Sequence, residues 1–123
     1  MKRNSMSLVV IGTVLFTCPG LAHHSDVNYE VEAWTHLQGT VTEVHWVNPH
    51  AWIYLEVRDA EGQSGTWALE GASVAQLRGD GWTEDSVQVN DEISVRCHRL
   101  RSGARGCLLG FIQMDDGSWK EFD

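Results

Sequence analysis

Residues 51–57 (AWIYLEV) alternate without a break, with Ile53, Leu55 and Val57 on one face and Trp52, Tyr54 and Glu56 on the other. Strict period two predicts a half-buried β-strand. The run before it, residues 37–46 (LQGTVTEVHW), has Leu37, Gly39 and Val41 in one phase and Val44 and Trp46 in the other. A phase change inside a strand predicts a bulge near Thr42-Glu43, the device that bends a strand around a barrel. Asn48-Pro49 is a turn signal, and Asp59-Ala60-Glu61-Gly62 turns the chain into a third strand over residues 65–69 (GTWAL). Residues 73–78 (SVAQLR) predict a short helix closed by Gly79 or Gly81. A fourth strand is expected over residues 93–100 and a fifth over 107–114. Asp115-Asp116-Gly117 is a last turn before an edge at Ser118-Trp119-Lys120.

Three strands, a helix and two more strands, the first of them bulged, is the element order of an OB-fold. The predicted fold class is therefore mainly all-β: an OB-like five-stranded, partly open Greek-key barrel with one short helix between strands 3 and 4. A β-sandwich of this size would need more strands.

The amino terminus has a different pattern. Lys2 and Arg3 precede an apolar core over residues 8–16 and the small-residue stretch Gly20-Leu21-Ala22. That layout predicts a secretory signal peptide over residues 1–22, cleaved after Ala22, and a periplasmic or secreted protein. The apolar run falls short of the roughly 20 residues that span a bilayer, and no second one follows, so no membrane insertion is expected after processing. Cys18 lacks the small residue expected just before a lipidated cysteine. The organisation expected is a signal peptide (1–22), a flexible arm (23–33) and a single OB-like barrel domain (34–123). Cleavage removes Lys2 and Arg3 and no acid, taking the net charge from −8 to −10. A field of that sign repels phosphate backbones and anionic headgroups, so nucleic acid is not an expected partner.

Cys97 and Cys107 remain after cleavage and flank a turn, residues 101–105. In a hairpin centred on Ser102 they would face each other, and an oxidising compartment favours a disulfide there. The rival reading, a cysteine metal pair, lacks a CxxC spacing.

The motifs "AHHS" (22–25), "WVNPHAW" (46–52), "WALEG" (67–71), "GWTEDS" (81–86) and "VNDEISV" (89–95) resemble the signature of domain-of-unknown-function family 6152, small exported bacterial proteins with one β-rich domain. The resemblance implies location and fold and supplies no reaction. Cys97 and Cys107 depart from the pattern expected of that family, which would make the bridge a local addition.

Candidate chemistry begins at His23-His24. With cleavage after Ala22, His23 carries both the new α-amine and an imidazole, a chelate suited to Cu(II), and His24 adds a second imidazole. A cut two residues earlier would leave Leu-Ala-His, which also binds Cu(II). The competing reading is that the pair only keeps the junction polar. In "HWVNPH", a tight turn at Val47-Asn48 would set His45 opposite His50, their Cβ atoms roughly 5 Å apart; a longer loop would separate them. The resemblance points to His50 rather than His45, and the competing reading is that His50 hydrogen-bonds backbone groups in the turn. His36 and His98 read as ordinary strand residues. The metal set expected is thus His23, His24, His50 and His45, with copper as the cofactor.

The chain has six tryptophans: Trp34, Trp46, Trp52, Trp67, Trp82 and Trp119. Trp52, Tyr54 and Trp67, with Asn48 in the adjoining turn, are the candidate ligand-binding residues, because the outer face of strands two and three is the usual OB platform. The competing reading puts Trp46, Trp67 and Trp82 in the core and packs Trp52 under the amino-terminal arm. No catalytic constellation is recognisable, so no enzyme is expected. Glu70 is the one acid embedded in an apolar strand end. The function expected is an exported binding protein, copper-binding through the processed histidines. The alternative is a carbohydrate- or protein-binding module with an exposed aromatic face. The partner would be a metal ion, a small ligand or an envelope protein.

Overall fold

The computed structural model describes residues 26–123. The leader expected over residues 1–22, Cys18, and the pair His23-His24 lie outside the described residues. A 3-10 turn, Asp26–Asn28, is followed by β1 (Thr35–His45), β2 (Trp52–Arg58), β3 (Ser64–Glu70), α1 (Val74–Gly79), β4 (Glu92–Arg99), β5 (Gly106–Gln113) and β6 (Trp119–Glu121). The strands run in the order β3-β2-β1-β4-β5-β6, and β3 also pairs with β5. That extra pairing is parallel and joins Ala68, Leu69 and Glu70 to Gly106, Cys107 and Leu108. Five strands close into a barrel, β6 adds a short extension, and the one α-helix among the described residues lies between β3 and β4. This is the OB-like architecture that the sequence pattern predicts.

β1 makes closure possible because it pairs with β4 along its first half and with β2 along its second. Its register against β2 shifts between Val41 and Glu43, so the predicted bulge is present and Thr42 is the extra residue. Gly39 lies opposite both Val57 and Ile93, where the two halves meet. A Cβ there would stand 2.1 Å from the Glu56 carbonyl oxygen, so only glycine allows that close approach.

Val41, Ile53, Leu55, Leu69, Val95, Leu109 and Ile112 fill the interior, joined by Leu77 of α1, Trp82, Val87 and Phe122. Full burial of each large aliphatic side chain contributes about 1.5–3 kcal/mol relative to exposure. Trp82 reaches this depth without an orphaned indole N–H, because Nε1 donates to the Glu121 carbonyl at 2.7 Å. α1 starts where Ser73 Oγ accepts the Gln76 N–H at 3.2 Å and Asn48 Oδ1 accepts the Val74 N–H at 3.1 Å.

From Asp26 onward, the segment expected to be a mobile arm lies along the barrel. Arg101 N–H donates to the Asn28 carbonyl at 2.9 Å and Glu30 N–H to the Arg99 carbonyl at 3.0 Å. Tyr29 forms an isolated bridge with Leu100 and is only 5% exposed. A tyrosine buries a large ring and has a hydroxyl that can find a partner, so one such residue can anchor an otherwise polar segment.

The disulfide Cys97–Cys107 is present, with a Cα–Cα separation of 5.5 Å. The hairpin is not centred on Ser102, however. Arg99 faces Cys107 and Cys97 faces Leu109, so the cysteines are diagonal rather than direct neighbours, beside a bulge at Arg96/Cys97. Both are fully buried, and Cys107 also faces Leu69 across the barrel seam. Replacing both cysteines by alanine is expected to lower the unfolding free energy by about 2–3 kcal/mol through lost chain constraint. Urea unfolding at fixed pH reads this directly. A loss below about 1 kcal/mol would mean that strand pairing alone sustains the seam.

Candidate functional site

Three backbone connections gather the candidate site at the end of β3. Gly71 N–H donates to the Ala51 carbonyl at 2.8 Å, Ala51 N–H to the Ala72 carbonyl at 2.9 Å, and Ala72 N–H to the Phe122 carbonyl at 3.1 Å. His50, Glu70 and Asp123 each sit one residue from this knot, so segments distant in sequence meet at one corner of the barrel.

Glu70 faces Trp52 in the β2–β3 ladder, on the side opposite the core pair Ile53 and Leu69. It is nonetheless only 8% exposed, the one buried charged residue among the described residues. A carboxylate removed from water needs hydrogen-bond partners to be tolerated. Tyr29 Oη donates to Glu70 Oε2 at 2.7 Å, and His50 Nδ1 stands 3.5 Å from Oε1. The Tyr29 hydroxyl is held far above the usual tyrosine range, chiefly by burial and then by this bond and the Glu70 charge.

His50 is oriented by a second bond, between Nδ1 and the Gly71 carbonyl at 2.9 Å. A carbonyl only accepts, so Nδ1 carries the proton and donates. Nε2 of the neutral ring is then the nitrogen left for another partner, and the side chain is 37% exposed. Asp123 is exposed as a residue, yet desolvation of its carboxyl is the largest cause raising its pKa. Asp26 and then Glu121 add to the rise, His50 opposes it, and Glu70 adds a smaller push. Asp26, where the described chain begins, therefore shares an electrostatic neighbourhood with His50, Glu70 and Asp123.

His50 is the only member of the expected metal set that the described residues place in this corner. His45 pairs with Trp52, bonds to Glu43 and tilts against the Tyr54 ring at 5.2 Å. The tight turn at Val47-Asn48 does not form. Residues 46–51 make a longer loop with a cis Asn48-Pro49 bond, and the two imidazoles take different partners. Asn48, expected to bind ligand, uses its side chain on the helix start instead.

The expected aromatic platform also divides. Trp52 and Tyr54 lie half-buried on the outer face, but Trp67 faces Leu55 in register and packs against the core. Direct partners in an antiparallel ladder share a face, and Leu55 is fully buried, so Trp67 belongs to the inner side. His36 and His98 are more than isolated strand residues: His36 meets the Trp119 ring edge, and His98 stacks on Trp34 at 4.0 Å. Among the described residues no group of three or more His, Cys, Asp or Glu side chains is arranged to hold a metal ion.

The sequence reading missed Tyr29 and Asp123 and left Glu70 without a partner. Tyr29 and Glu70 are 41 positions apart, and only closure of the barrel joins them.

Tyr29→Phe is expected to lower stability by about 1–3 kcal/mol, because it removes the donor from a buried carboxylate while keeping the ring. Chemical denaturation compared with Tyr54→Phe, whose hydroxyl lies on the outer face, measures it. Asp123 gives a pH-dependent prediction. Its folded-state pKa is raised, so the stability it contributes is full below about 3.8 and is lost as pH rises through the folded value. Asp123→Asn should therefore stabilise the protein at neutral pH and change little near pH 3 (melting temperatures at both pH values provide the check).

No curated protein and no solved structure matches the chain. Residues 12–109 match a family model, a span that includes His23, His24, His50, Tyr29 and Glu70 and ends within β5. The match covers most of the sequence, and the chain belongs to this family of unknown function, DUF6152.

Proposed function

We propose that the protein is an exported copper-binding protein whose metal site is completed when the leader is removed. In this reading cleavage after Ala22 frees the α-amine of His23. The amine and the imidazoles of His23 and His24 then bind Cu(II) together with Nε2 of His50. The observation that carries the proposal is the state of His50: Nδ1 donates to the Gly71 carbonyl at 2.9 Å, which leaves Nε2 as the available nitrogen on a partly exposed ring. A metal-binding imidazole is commonly fixed in this way, by a hydrogen bond from its other nitrogen.

Chain geometry adds support. Asp26 lies in the electrostatic field of the Asp123 carboxyl, which also responds to His50. His24 is two residues from Asp26 and His23 three, a reach of roughly 7–11 Å in extended chain. That reach supports bringing two imidazoles and an amine toward the corner from Asp26. Nitrogen ligands suit Cu(II), and the carboxylates around them would offset the charge of the ion.

The aromatic platform is the weaker reading, because Trp67 turns inward and leaves Trp52 and Tyr54 without it.

Calorimetric titration of Cu(II) into protein with His23 verified as the first residue is expected to show one-to-one binding. One extra residue ahead of His23 should weaken it at least about tenfold, and His50→Ala should do the same. Binding unaffected by His50→Ala would remove the barrel from the site. Binding unaffected by both changes would overturn the proposal.

A further inference from the structure

The outer face of β1, β4, β5 and β6 carries a different chemistry from the His50 corner. Arg96 faces His36 on β1 and Phe111 on β5. Its guanidinium lies 4.1 Å from the centre of the Trp119 ring. Arg96 Nε is buried without a hydrogen-bond partner, and no carboxylate pairs with this arginine among the described residues. That is unusual in a chain with 17 acidic and nine basic residues, where acids to neutralise an arginine are plentiful. A guanidinium stacked on an indole is rigid and presents paired donors whose geometry matches a carboxylate.

Beside it lies an open recess of about 340 Å³, lined in part by His36, Gln38, Ser94, Gln113 and Trp119. Its size is within the range of small-molecule clefts. Gln38 faces Ser94, and Gln113 faces Trp119, so amide, hydroxyl and indole groups line one row across the sheet. Gln113 Nε2 is engaged with the Gly117 carbonyl, which leaves its side-chain oxygen as an acceptor. Gln38 and Ser94 make no side-chain hydrogen bond among the described residues. Trp34, 48% exposed, stacked on His98 and edge-on to Phe111, lies just ahead of β1 beside this face.

We propose that this face binds a short acidic oligosaccharide, with a uronic acid ring in the recess and its carboxylate on Arg96. The ring face of a sugar stacks on indole. Its hydroxyls match the free amide and hydroxyl groups of Gln38, Ser94 and Gln113, and the carboxylate fills the unpaired guanidinium. Two acids share this face, Glu92, which accepts from Thr40 Oγ1, and Glu121, which lies opposite Phe111, so the Arg96 guanidinium has to outweigh them, while charges beyond about 8 Å are screened at physiological salt. This site is independent of the copper proposal and shares no residue with it.

The test is calorimetry with trigalacturonate, maltotriose and citrate on the leader-free protein. Trigalacturonate is expected to bind saturably, at least about tenfold more tightly than either maltotriose or citrate. Arg96→Gln should weaken it by a further factor of about ten or more, the scale of a charge-assisted bond. Because Arg96 packs on Trp119, circular dichroism must show a folded variant. Gln38→Ala, at an exposed side chain, gives a second reading that needs no repacking and should weaken binding several-fold. Absence of saturable trigalacturonate binding would overturn the assignment, as would binding unchanged in both variants. Equal affinity for maltotriose would overturn the carboxylate role of Arg96, and equal affinity for citrate would overturn the sugar.

Discussion

A curled sheet still has two edges, and here the edge of β3 meets the edge of β5 over three residues, Ala68–Glu70 against Gly106–Leu108. Each residue at that seam has a structural consequence. Cys107, opposite Leu69, carries the disulfide to Cys97 and fastens β4 to the closing strand. Glu70, opposite Leu108, is drawn under the amino-terminal segment and must be satisfied there by Tyr29. Beyond the seam β5 turns the same edge to β6, whose continuation at Phe122 bonds back to Ala72 and to Gly110. A short parallel contact therefore determines which side chains from the two ends of the described chain meet.

The corner that results is expensive in free energy unless it is complete. A buried carboxylate with one phenol donor and an imidazole nearby tolerates little loss, since each missing partner leaves a desolvated oxygen. The same completeness gives it direction. The Gly71 carbonyl fixes one nitrogen of His50, and the ring presents the other outward. Tyr29 holds the segment that leads toward His23 and His24 against the same part of the barrel. The outer face of β4 has the opposite character, with Arg96 stacked on Trp119 and, among the described residues, without a carboxylate partner. One face offers a fixed acceptor nitrogen near acids, and the other offers unpaired donors beside an indole. These are different recognition chemistries on one small scaffold.

Local pattern was enough to read the barrel. Period-two alternation over residues 51–57 gave β2 and its inner face. The phase slip around Thr42 marked the bulge, and the placement of one helix after three strands selected the topology. These signals survive because each depends on neighbours within a few residues and on burial of one face. The paired cysteines were also legible, although the hairpin register differs by enough to make them diagonal neighbours. A bulge beside Cys97 and the turn at 100–106 set that offset, and neither can be counted from spacing alone.

What the sequence could not decide is direction and distance between separate segments. It left Trp67 either on the platform with Trp52 and Tyr54 or in the core, and the register against Leu55 turns it inward. It left open whether His45 and His50 face each other or are separated by a longer loop, and the loop over residues 46–51 sends them to different partners. It singled out Glu70 as an acid in apolar surroundings but could not supply Tyr29, 41 residues away. The strands, the helix and the bulge follow from short-range periodicity and sterics, so they can be read along the chain. Which polar groups share a buried corner depends on how the barrel closes and on where its two ends return, and that is set by contacts between distant segments.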